Sequence, residues 1–438
     1  MSREIESVAV LGAGTMGVGI AAACAQAGSS VVLLDLTRES ADQAVARMTE
    51  GRAPMIDDPS KLALITTGSL DSDLSLIAGS DWICEAVIED LEIKRNLLLR
   101  VNAVRREGSI VSTNTSGIPL HAIAHDMPES LQRDLCVTHF FNPVRVMRLL
   151  ELVPGEMTDP EALAAVGHYC TERLGKGVVP AKDTVNFIGN RIGCFWILSG
   201  LHKARAALDN GLSMEAVDAL MSAPVGLPPT GLYGLVDLIG LDVMDLVGKN
   251  LAANLPMRDI GRDYATFPVT EELMLNRGQL GRKSGGGFYR VTKTEDGGKL
   301  KEVYDLQSGE WRVAEAVELE AAHQSLETLL FADDAEGRFA WDLMVGTLDY
   351  AADLVPAISD TIVGVDRAMR WGFNWARGPF EMLDAIGPQR VIERLEADRM
   401  PVPRMLAVLR DAGGDTFYRN GGSECLGPDG RYAPVEPE

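Results

Sequence analysis

The sequence is poor in cysteine. Among its 438 residues only 6 are cysteines, and they are scattered singly, without a CxxC pair or a spacing typical of zinc ligands. We therefore expect no metal site and no disulfide framework. Cysteines used in this way fit a reducing compartment best, so we expect a cytoplasmic protein.

Positive charge is also scarce, because 41 lysines and arginines stand against 63 aspartates and glutamates, a formal net charge of −22. This balance argues against nucleic acid as a partner and against a polybasic membrane patch. Residues 7–34 carry no charge, but their glycines and β-rich ends favour a buried strand, turn, helix and strand over a membrane span. The N-terminus lacks the pattern of a signal peptide.

The length exceeds that of one typical domain and predicts two or three. From residue 7 to about residue 153, short β-rich runs alternate with helical stretches. This alternation predicts a parallel, doubly wound sheet. We expect its strands at 7–11, 31–34, 82–87, 109–113, 135–140 and 149–153. In such sheets ligands bind beyond the carboxyl ends of the strands.

A glycine-rich turn follows the first expected strand. It reads Gly12, Ala13, Gly14, Thr15, Met16, Gly17, a GxGxxG pattern that can present backbone amides and a helix N-terminus to a diphosphate. Asp35 ends the second strand, where a carboxylate can bind ribose hydroxyls and repel a 2′-phosphate. These residues predict NAD rather than NADP. A flexible glycine turn and a helix-capping aspartate are the alternatives.

A histidine and a glutamate stand out within apolar strands. His139 ends the strand LCVTH, and Glu151 lies inside RLLELV. Each alone is more often a structural residue than a catalyst. Together, a carboxylate held against an imidazole makes His139 a general base, which beside a nicotinamide gives dehydrogenase chemistry.

Further polar residues follow the neighbouring strands. Glu89 and Lys94 lie after WICEAVI, and Ser116 closes the stretch Asn114, Thr115, Ser116 after SIVST. We expect them at the cofactor edge. A solvated helical charge pair and ordinary turn chemistry explain them nearly as well.

Seven stretches, taken together, resemble the L-3-hydroxyacyl-CoA dehydrogenases of fatty-acid β-oxidation. They are the turn at 12–17, Asp35, WICEAVIEDLEIKR, NTS at 114–116, HFFNPVRVMRLLELV at 139–153, KDTVNFIGNR at 182–191 and GRKSGGGFY at 281–289. The resemblance implies a Rossmann-type NAD domain followed by a helical domain. It also implies oxidation of the 3-hydroxyl of an acyl-CoA to the 3-ketone in β-oxidation.

The resemblance also implies roles for single residues. His139 resembles the family's catalytic base and Glu151 its partner, while Ser116 and Asn190 are similar to polar contacts of the substrate. The residues similar to dinucleotide contacts are Glu89, Lys94, Ser116, Asn142 and Lys283. Without the family, Asn190 reads as part of a helix N-terminal cap. Two stretches depart from the family pattern, Val185 to Phe187 and Gly231 to Gly234.

From Phe187 onward the pattern is helical and begins with a long amphipathic run to about Asn210. The second half also contains an internal repeat. The segments 216–221 and 231–240 recur at 364–369 and 378–387, with an offset of 147 or 148 residues. We expect an all-α, internally duplicated C-terminal region of the 3-hydroxyacyl-CoA dehydrogenase type. The predicted domains are 1–186 (NAD-binding), 187–292 (first helical copy), 293–325 (hairpin-like linker), 326–415 (second copy) and 416–438 (tail).

The repeat bears on partners and assembly. A second copy that occupies the place of a partner subunit predicts a monomer, and the resemblance to multifunctional β-oxidation proteins leaves a larger assembly open. An acyl-CoA substrate requires a small basic patch for its phosphates, and we expect Arg52 or Lys61 there. The alternative functions are an NAD-dependent dehydrogenase of another 3-hydroxy acid and a non-catalytic NAD-binding scaffold.

Overall fold

The computed structural model describes residues 4–51, 54–294 and 297–437. The chain forms two compact units. The first ends at Ile188 and also includes Ala357–Ser359, and the second begins at Gly189. The division lies close to the predicted domain boundary after residue 186. No helix within the described ranges is both long enough and apolar enough to cross a membrane.

The first unit is built on an eight-stranded sheet with the order β3-β2-β1-β4-β5-β6-β7-β8. The strands are β1 (Ser7–Leu11), β2 (Ser30–Asp35), β3 (Ile65–Ser69), β4 (Trp82–Glu85), β5 (Ile110–Thr113), β6 (Leu135–Phe140), β7 (Leu149–Pro154) and β8 (Gly177–Pro180). Its helices are α1 (Thr15–Gln26), α2 (Arg38–Ala46), α3 (Leu91–Val104), α4 (Leu120–Ala124), α5 (Glu129–Asp134) and α6 (Pro160–Glu172). This is the Rossmann-type architecture that the sequence predicts.

All six predicted strands are present, and two further strands, β3 and β8, are short and were not predicted. The sheet is parallel as predicted except between β6 and β7, which pair in the antiparallel direction. Only residues 141–148 connect these two strands. A connection this short cannot hold a crossover helix, so the chain has to return antiparallel.

The second unit is mainly helical. The long helix α7 (Gly189–Asp209) agrees closely with the amphipathic run that the sequence predicts to about Asn210. The other helices up to residue 290 are α8 (Met214–Leu220), α9 (Tyr233–Ile239), α10 (Leu241–Asn254) and α11 (Val269–Asn276). Those of the later part are α12 (Leu326–Leu329), α13 (Ala335–Ala340), α14 (Gly346–Leu354), α15 (Ile362–Gly372), α16 (Pro379–Ile386), α17 (Pro388–Ala397) and α18 (Arg404–Asp411).

The prediction that this region is all-α is wrong, because it also contains two three-stranded antiparallel sheets. One consists of β9 (Tyr289–Lys293), β10 (Lys299–Asp305) and β11 (Glu310–Val313), and the other of β12 (Tyr418–Arg419), β13 (Glu424–Leu426) and β14 (Tyr432–Pro434). Cross-strand pairs such as Arg290 with Glu302, at 2.9 Å, stabilise hairpins in these segments.

Carboxylates make equivalent hydrogen bonds in both halves of the second unit. Asp218 in α8 accepts hydrogen bonds from the first residues of α9, and Asp366 in α15 does so from those of α16. The donors to Asp218 are the backbone N–H groups of Tyr233 (2.7 Å) and Gly234 (3.1 Å). The donors to Asp366 are those of Phe380 (2.8 Å) and Glu381 (3.2 Å). Each carboxylate therefore ties two helices together.

A second pair of carboxylates anchors the two small sheets. Asp237 in α9 and Asp384 in α16 each accept two backbone hydrogen bonds at the start of a sheet. The donors to Asp237 are Phe288 and Tyr289, both at 2.7 Å. The donors to Asp384 are Phe417 and Tyr418, at 2.6 and 2.8 Å. The start of each sheet is thus hydrogen-bonded to a helix of the repeated segments, α9 for one sheet and α16 for the other.

Desolvation of the Asp218 carboxyl group predicts an unusual pH dependence of stability, because it outweighs the two backbone hydrogen bonds, which lower the pKa of Asp218. Burial raises the pKa of Asp218 to about 7. Since the pKa is higher in the folded than in the unfolded state, this contribution to the free energy of unfolding is present at low pH and is lost as pH rises from about 4 to about 7. Asp218→Asn removes the titration. We therefore expect its free energy of unfolding, measured with urea, to depend less on pH in this range than that of the wild type.

The matched control is Asp333→Asn, because the Asp333 side chain is fully exposed. It should unfold with the pH dependence of the wild type. The same pH dependence in Asp218→Asn and in the wild type would contradict the prediction.

Candidate active site

The glycine turn after β1 is shaped by steric constraints. Gly12 has φ +102°, a conformation that favours glycine, and a Cβ there would lie 2.6 Å from the carbonyl oxygen of Ala86. A Cβ at Gly17 would overlap the carbonyl oxygen of Gly12. At Gly14, by contrast, a Cβ would meet no described atom within 4 Å. The turn is therefore packed on one side and open at Gly14, where a ligand can approach the backbone.

The open side faces the N-terminus of α1. Thr15 is exposed, Met16 is half-buried, and the first turn of α1 carries no acidic side chain. The unpaired N–H groups and the positive end of the helix dipole are thus available to an anion. This arrangement fits the diphosphate of a dinucleotide.

Asp35 ends β2, the strand that pairs with β1 next to the glycine turn. The side chain that caps α2 is Thr37, which accepts a hydrogen bond from the N–H of Ser40 at 3.1 Å. The alternative that Asp35 caps this helix is therefore wrong. Its half-buried carboxylate stands where the ribose hydroxyls of NAD are expected.

Lys94 does not form a solvated charge pair. Its side chain is only 1% exposed, and its Nζ lies 2.8 Å from Glu85 and 3.2 Å from Glu89. Glu85 is fully buried and also accepts a hydrogen bond from Thr113 Oγ1 at 2.6 Å. The sequence reasoning missed Glu85 as a member of this cluster. An acidic residue inside the apolar strand WICEA, comparable to Glu151, was the available signal.

Glu89 connects this ionic cluster to the loop after β5. It accepts hydrogen bonds from the Thr115 hydroxyl and from the N–H of Gly117, the latter at 2.9 Å. Burial alone would raise the pKa of Glu89, but Lys94 and these hydrogen bonds outweigh it and lower the pKa. The two donors flank Ser116, so the charge cluster fixes the loop that carries Ser116.

His139 and Glu151 face each other across β6 and β7. The antiparallel register pairs the two residues, and His139 Nδ1 lies 2.7 Å from Glu151 Oε2. His139 is 5% exposed and Glu151 is fully buried. Because a carboxylate only accepts hydrogen bonds, Nδ1–H donates, which leaves Nε2 unprotonated in the neutral ring. Within the described part of the chain, no second hydrogen bond to the imidazole ring is found.

Glu151 also holds the loop after β8. Its Oε1 accepts a hydrogen bond from the N–H of Ile188 at 2.9 Å. Asn186 and Phe187, in one of the two stretches that depart from the family pattern, have positive φ values of 60° and 49°. The centroid of the Phe187 ring lies 5.6 Å from the centroid of the His139 ring. One buried carboxylate therefore positions both the imidazole and the strained turn beside it.

Asn114 and Asn142 complete the edge of the sheet. Asn114 Oδ1 accepts a hydrogen bond from the N–H of Phe140 at 2.9 Å, which joins the ends of β5 and β6. Asn142 is exposed and lines a cleft of about 240 Å³ together with Thr15 and Gly19 of α1. The first unit thus brings Thr15 of the glycine turn and Asn142 to one cleft.

The two remaining candidates, Asn190 and Lys283, belong to the second unit. Asn190 is the second residue of α7 and is half-buried. Lys283 Nζ forms an ion pair with Asp242 Oδ1 at 2.5 Å, and about half of each side chain is exposed. The amino group of Lys283 therefore has a local partner in addition to the expected cofactor role.

One cluster could hold a metal ion by geometry. His323, Asp334 and Glu336 each bring one ligand atom within 4.8 Å of the others. However, His323 Nε2 lies 2.8 Å from Asp334, and Asp334 also caps α13 through the N–H of Gly337. These side chains therefore have structural partners within the second unit.

Two family models match the chain in succession. The model described as "3-hydroxyacyl-CoA dehydrogenase, NAD binding domain" matches residues 7–184. The model described as "3-hydroxyacyl-CoA dehydrogenase, C-terminal domain" matches residues 187–291. The matches divide the chain near the boundary between the two compact units.

Individual relatives agree with these matches. A Rickettsia felis protein, named as a trifunctional enzyme of a fatty acid oxidation complex, is 36% identical over 93% of this chain. The chain spans only 57% of that relative's length. A Deinococcus radiodurans protein, named a probable 3-hydroxyacyl-CoA dehydrogenase, is 36% identical over 67% of this chain and 84% of its own.

A solved structure resembles most of the chain. The crystal structure of 3-hydroxybutyryl-CoA dehydrogenase from Escherichia coli is 25% identical with a TM-score of 0.69, over 90% of this chain and 94% of that one. The family models cover more than half of the chain, in the order of its two units. The chain therefore belongs to the 3-hydroxyacyl-CoA dehydrogenase family, whose members are NAD-dependent oxidoreductases.

Proposed function

We propose that this chain oxidises the 3-hydroxyl of an L-3-hydroxyacyl-CoA to the 3-ketone, as a step of fatty-acid β-oxidation. The observation that carries the proposal is the buried hydrogen bond between His139 and Glu151, on the sheet that also bears the glycine turn. A relative named after a fatty acid oxidation complex supports the pathway. A similar structure named 3-hydroxybutyryl-CoA dehydrogenase supports the substrate class.

The hydrogen bond gives His139 its role. Since Nδ1–H donates to Glu151, Nε2 can accept the proton of the substrate hydroxyl. The negative charge of Glu151 stabilises the imidazolium that forms and holds the ring in one orientation. Bound NAD supplies the chemistry of hydride acceptance at C3.

The other candidates would bind and polarise the ligands. Ser116 and Asn190 would donate hydrogen bonds to the substrate's hydroxyl and thioester carbonyl. Glu89, Lys94, Asn142 and Lys283 would act at the dinucleotide. For Lys94 we propose an indirect role, because its ammonium is buried between Glu85 and Glu89 and fixes the loop of Ser116 through Glu89.

A basic pair in the first unit suits the phosphates of CoA. Lys61 Nζ and Arg173 Nη2 both lie 3.9 Å from the position of a Cβ at Gly28, so two cations lie near this residue just after α1. The helix α1 is about 18 Å long and separates the pair from the glycine turn. The pair would therefore contact only the phosphate-bearing end of an extended CoA. Arg52, the other predicted candidate, lies outside the described residues.

We also propose that the second unit is an internal duplication. The carboxylates Asp218 and Asp366 make equivalent bonds, and so do Asp237 and Asp384, at the sequence offset of the repeat. If the second copy takes the place of a partner subunit, the chain is a monomer. The trifunctional relative leaves room for a larger assembly.

The catalytic proposal predicts a large loss of activity in His139→Ala. Removing a general base should lower kcat for acetoacetyl-CoA reduction by roughly 10²–10⁴-fold, with little change in the KM for NADH. Glu151→Gln should also lower kcat. The measurement is NADH consumption with acetoacetyl-CoA and longer 3-ketoacyl-CoAs.

His121→Ala is the matched control, because His121 also pairs with an aspartate, Asp183, at 2.7 Å but its side chain is 73% exposed. It should retain activity. Unchanged turnover in His139→Ala would refute the mechanism. Turnover of a free 3-hydroxy acid without CoA would favour the first alternative, and NADH binding without any turnover would favour a scaffold.

The basic pair predicts a selective effect on CoA esters. The variant Lys61→Gln with Arg173→Gln should raise the KM for acetoacetyl-CoA about tenfold, equivalent to about 1.4 kcal/mol. The KM for acetoacetyl-N-acetylcysteamine, which lacks the nucleotide phosphates, should not change. The control Arg399→Gln removes an exposed charge of the second unit. An equal rise for both thioesters would contradict a contact with the phosphates.

The duplication predicts a monomer in sedimentation velocity. A dimer held through residues 190–290 would contradict this expectation. Leu246→Glu tests for such a dimer, because Leu246 is an exposed hydrophobic residue of α10. Leu36→Glu, at an exposed hydrophobic residue of the first unit, is the control. Dissociation of a dimer by Leu246→Glu alone would refute the proposal.

A further inference from the structure

A buried polar cluster lies in the second unit and has no role in the catalytic proposal. It consists of Arg191 in α7, Asp259 in the segment after α10, and Tyr350 in α14. All three side chains are almost completely buried; Arg191 and Tyr350 are each 4% exposed. A buried guanidinium group destabilises the fold unless it is paired with an acid and hydrogen-bonded, so the charge of Arg191 depends on its partners.

The cluster forms a closed triangle of hydrogen bonds. Arg191 Nη2 pairs with Asp259 Oδ2, and Arg191 Nε donates to the Tyr350 hydroxyl at 2.6 Å. The same hydroxyl donates to Asp259 Oδ1 at 2.9 Å. Burial raises the pKa of Tyr350 above its usual range, which keeps the hydroxyl protonated and able to do both. Each member therefore orients the other two.

The triangle acts on the first turn of α7. Arg191 directly follows Asn190, and the Tyr350 ring stacks on Phe195, one turn further along the same helix, with 4.0 Å between the ring centroids. Asp259 is itself fixed, because its Oδ1 accepts the N–H of Gly261 at 2.8 Å. The start of α7 is thus held at two successive turns by one tyrosine.

Tyr350 comes from the later part of the chain. It lies in the predicted second helical copy, whereas Arg191 and Asp259 lie in the first. The later copy thereby contributes a side chain to the helix start that carries Asn190.

We propose that Tyr350 is a positioning residue, which fixes the orientation of Asn190 toward the substrate by holding Arg191 against Asp259. The inference rests on the proposed substrate contact of Asn190. It concerns the thioester side of the reaction, so the dinucleotide side should be unaffected.

A double-mutant cycle tests this inference. Tyr350→Phe keeps the ring stacked on Phe195 and removes only the hydroxyl. We expect kcat/KM for acetoacetyl-CoA to fall about tenfold, while the KM for NADH stays unchanged. In the Asn190→Ala background the same substitution should cause no further loss, because a positioning residue has nothing left to position.

The control is Tyr264→Phe, because Tyr264 packs on the same Phe195 ring, with 5.8 Å between centroids, and lies outside the triangle. It should retain kcat/KM. The thermal unfolding of each variant is measured in parallel, because a loss of activity that follows unfolding would count against positioning.

The outcomes separate the two proposals. An equal loss from Tyr350→Phe in both backgrounds would show a general structural role and overturn the inference. A loss in Asn190→Ala but none in Tyr350→Phe would overturn the inference and leave the proposed function intact. Full activity in Asn190→Ala would refute the substrate contact itself and, with it, this inference.

Discussion

The hydrogen bond between His139 and Glu151 depends on one constraint, the antiparallel pairing of β6 with β7. A parallel strand would need a long crossover, whereas the connection of residues 141–148 returns the chain directly and sets Glu151 opposite His139. The second oxygen of Glu151 then holds the N–H of Ile188. The imidazole, the strained turn at Asn186 and Phe187, and the end of the first unit all depend on this one carboxylate.

Buried carboxylates have the same organising role elsewhere in the chain. Glu85 binds the buried ammonium of Lys94, and Asp218 and Asp366 each accept two backbone hydrogen bonds at the start of a helix. A carboxylate has four lone-pair sites and can therefore satisfy several donors from different elements at once. The acidic residues of this chain therefore include internal hydrogen-bond acceptors as well as surface residues.

The net charge of −22 is compatible with anionic ligands. Exposed charges are screened beyond about 8–10 Å, so the local environment of each site decides binding. At the glycine turn that environment is backbone amide groups and a helix N-terminus free of acidic side chains in its first turn. At the proposed contact with the CoA phosphates it is the pair of Lys61 and Arg173 near Gly28.

The sequence by itself determined the local features: six strands of the first unit, the glycine turn, the long helix α7 and the repeated segments. Each of these follows from periodicity, composition or self-comparison of the sequence. It also identified His139 and Glu151 through their apolar surroundings. Only the tertiary structure decided their distance, the burial of Lys94 against Glu85, the two small sheets, and the triangle of Arg191, Asp259 and Tyr350. These contacts join residues far apart in the chain, and local sequence patterns contain no information on which distant groups pack together.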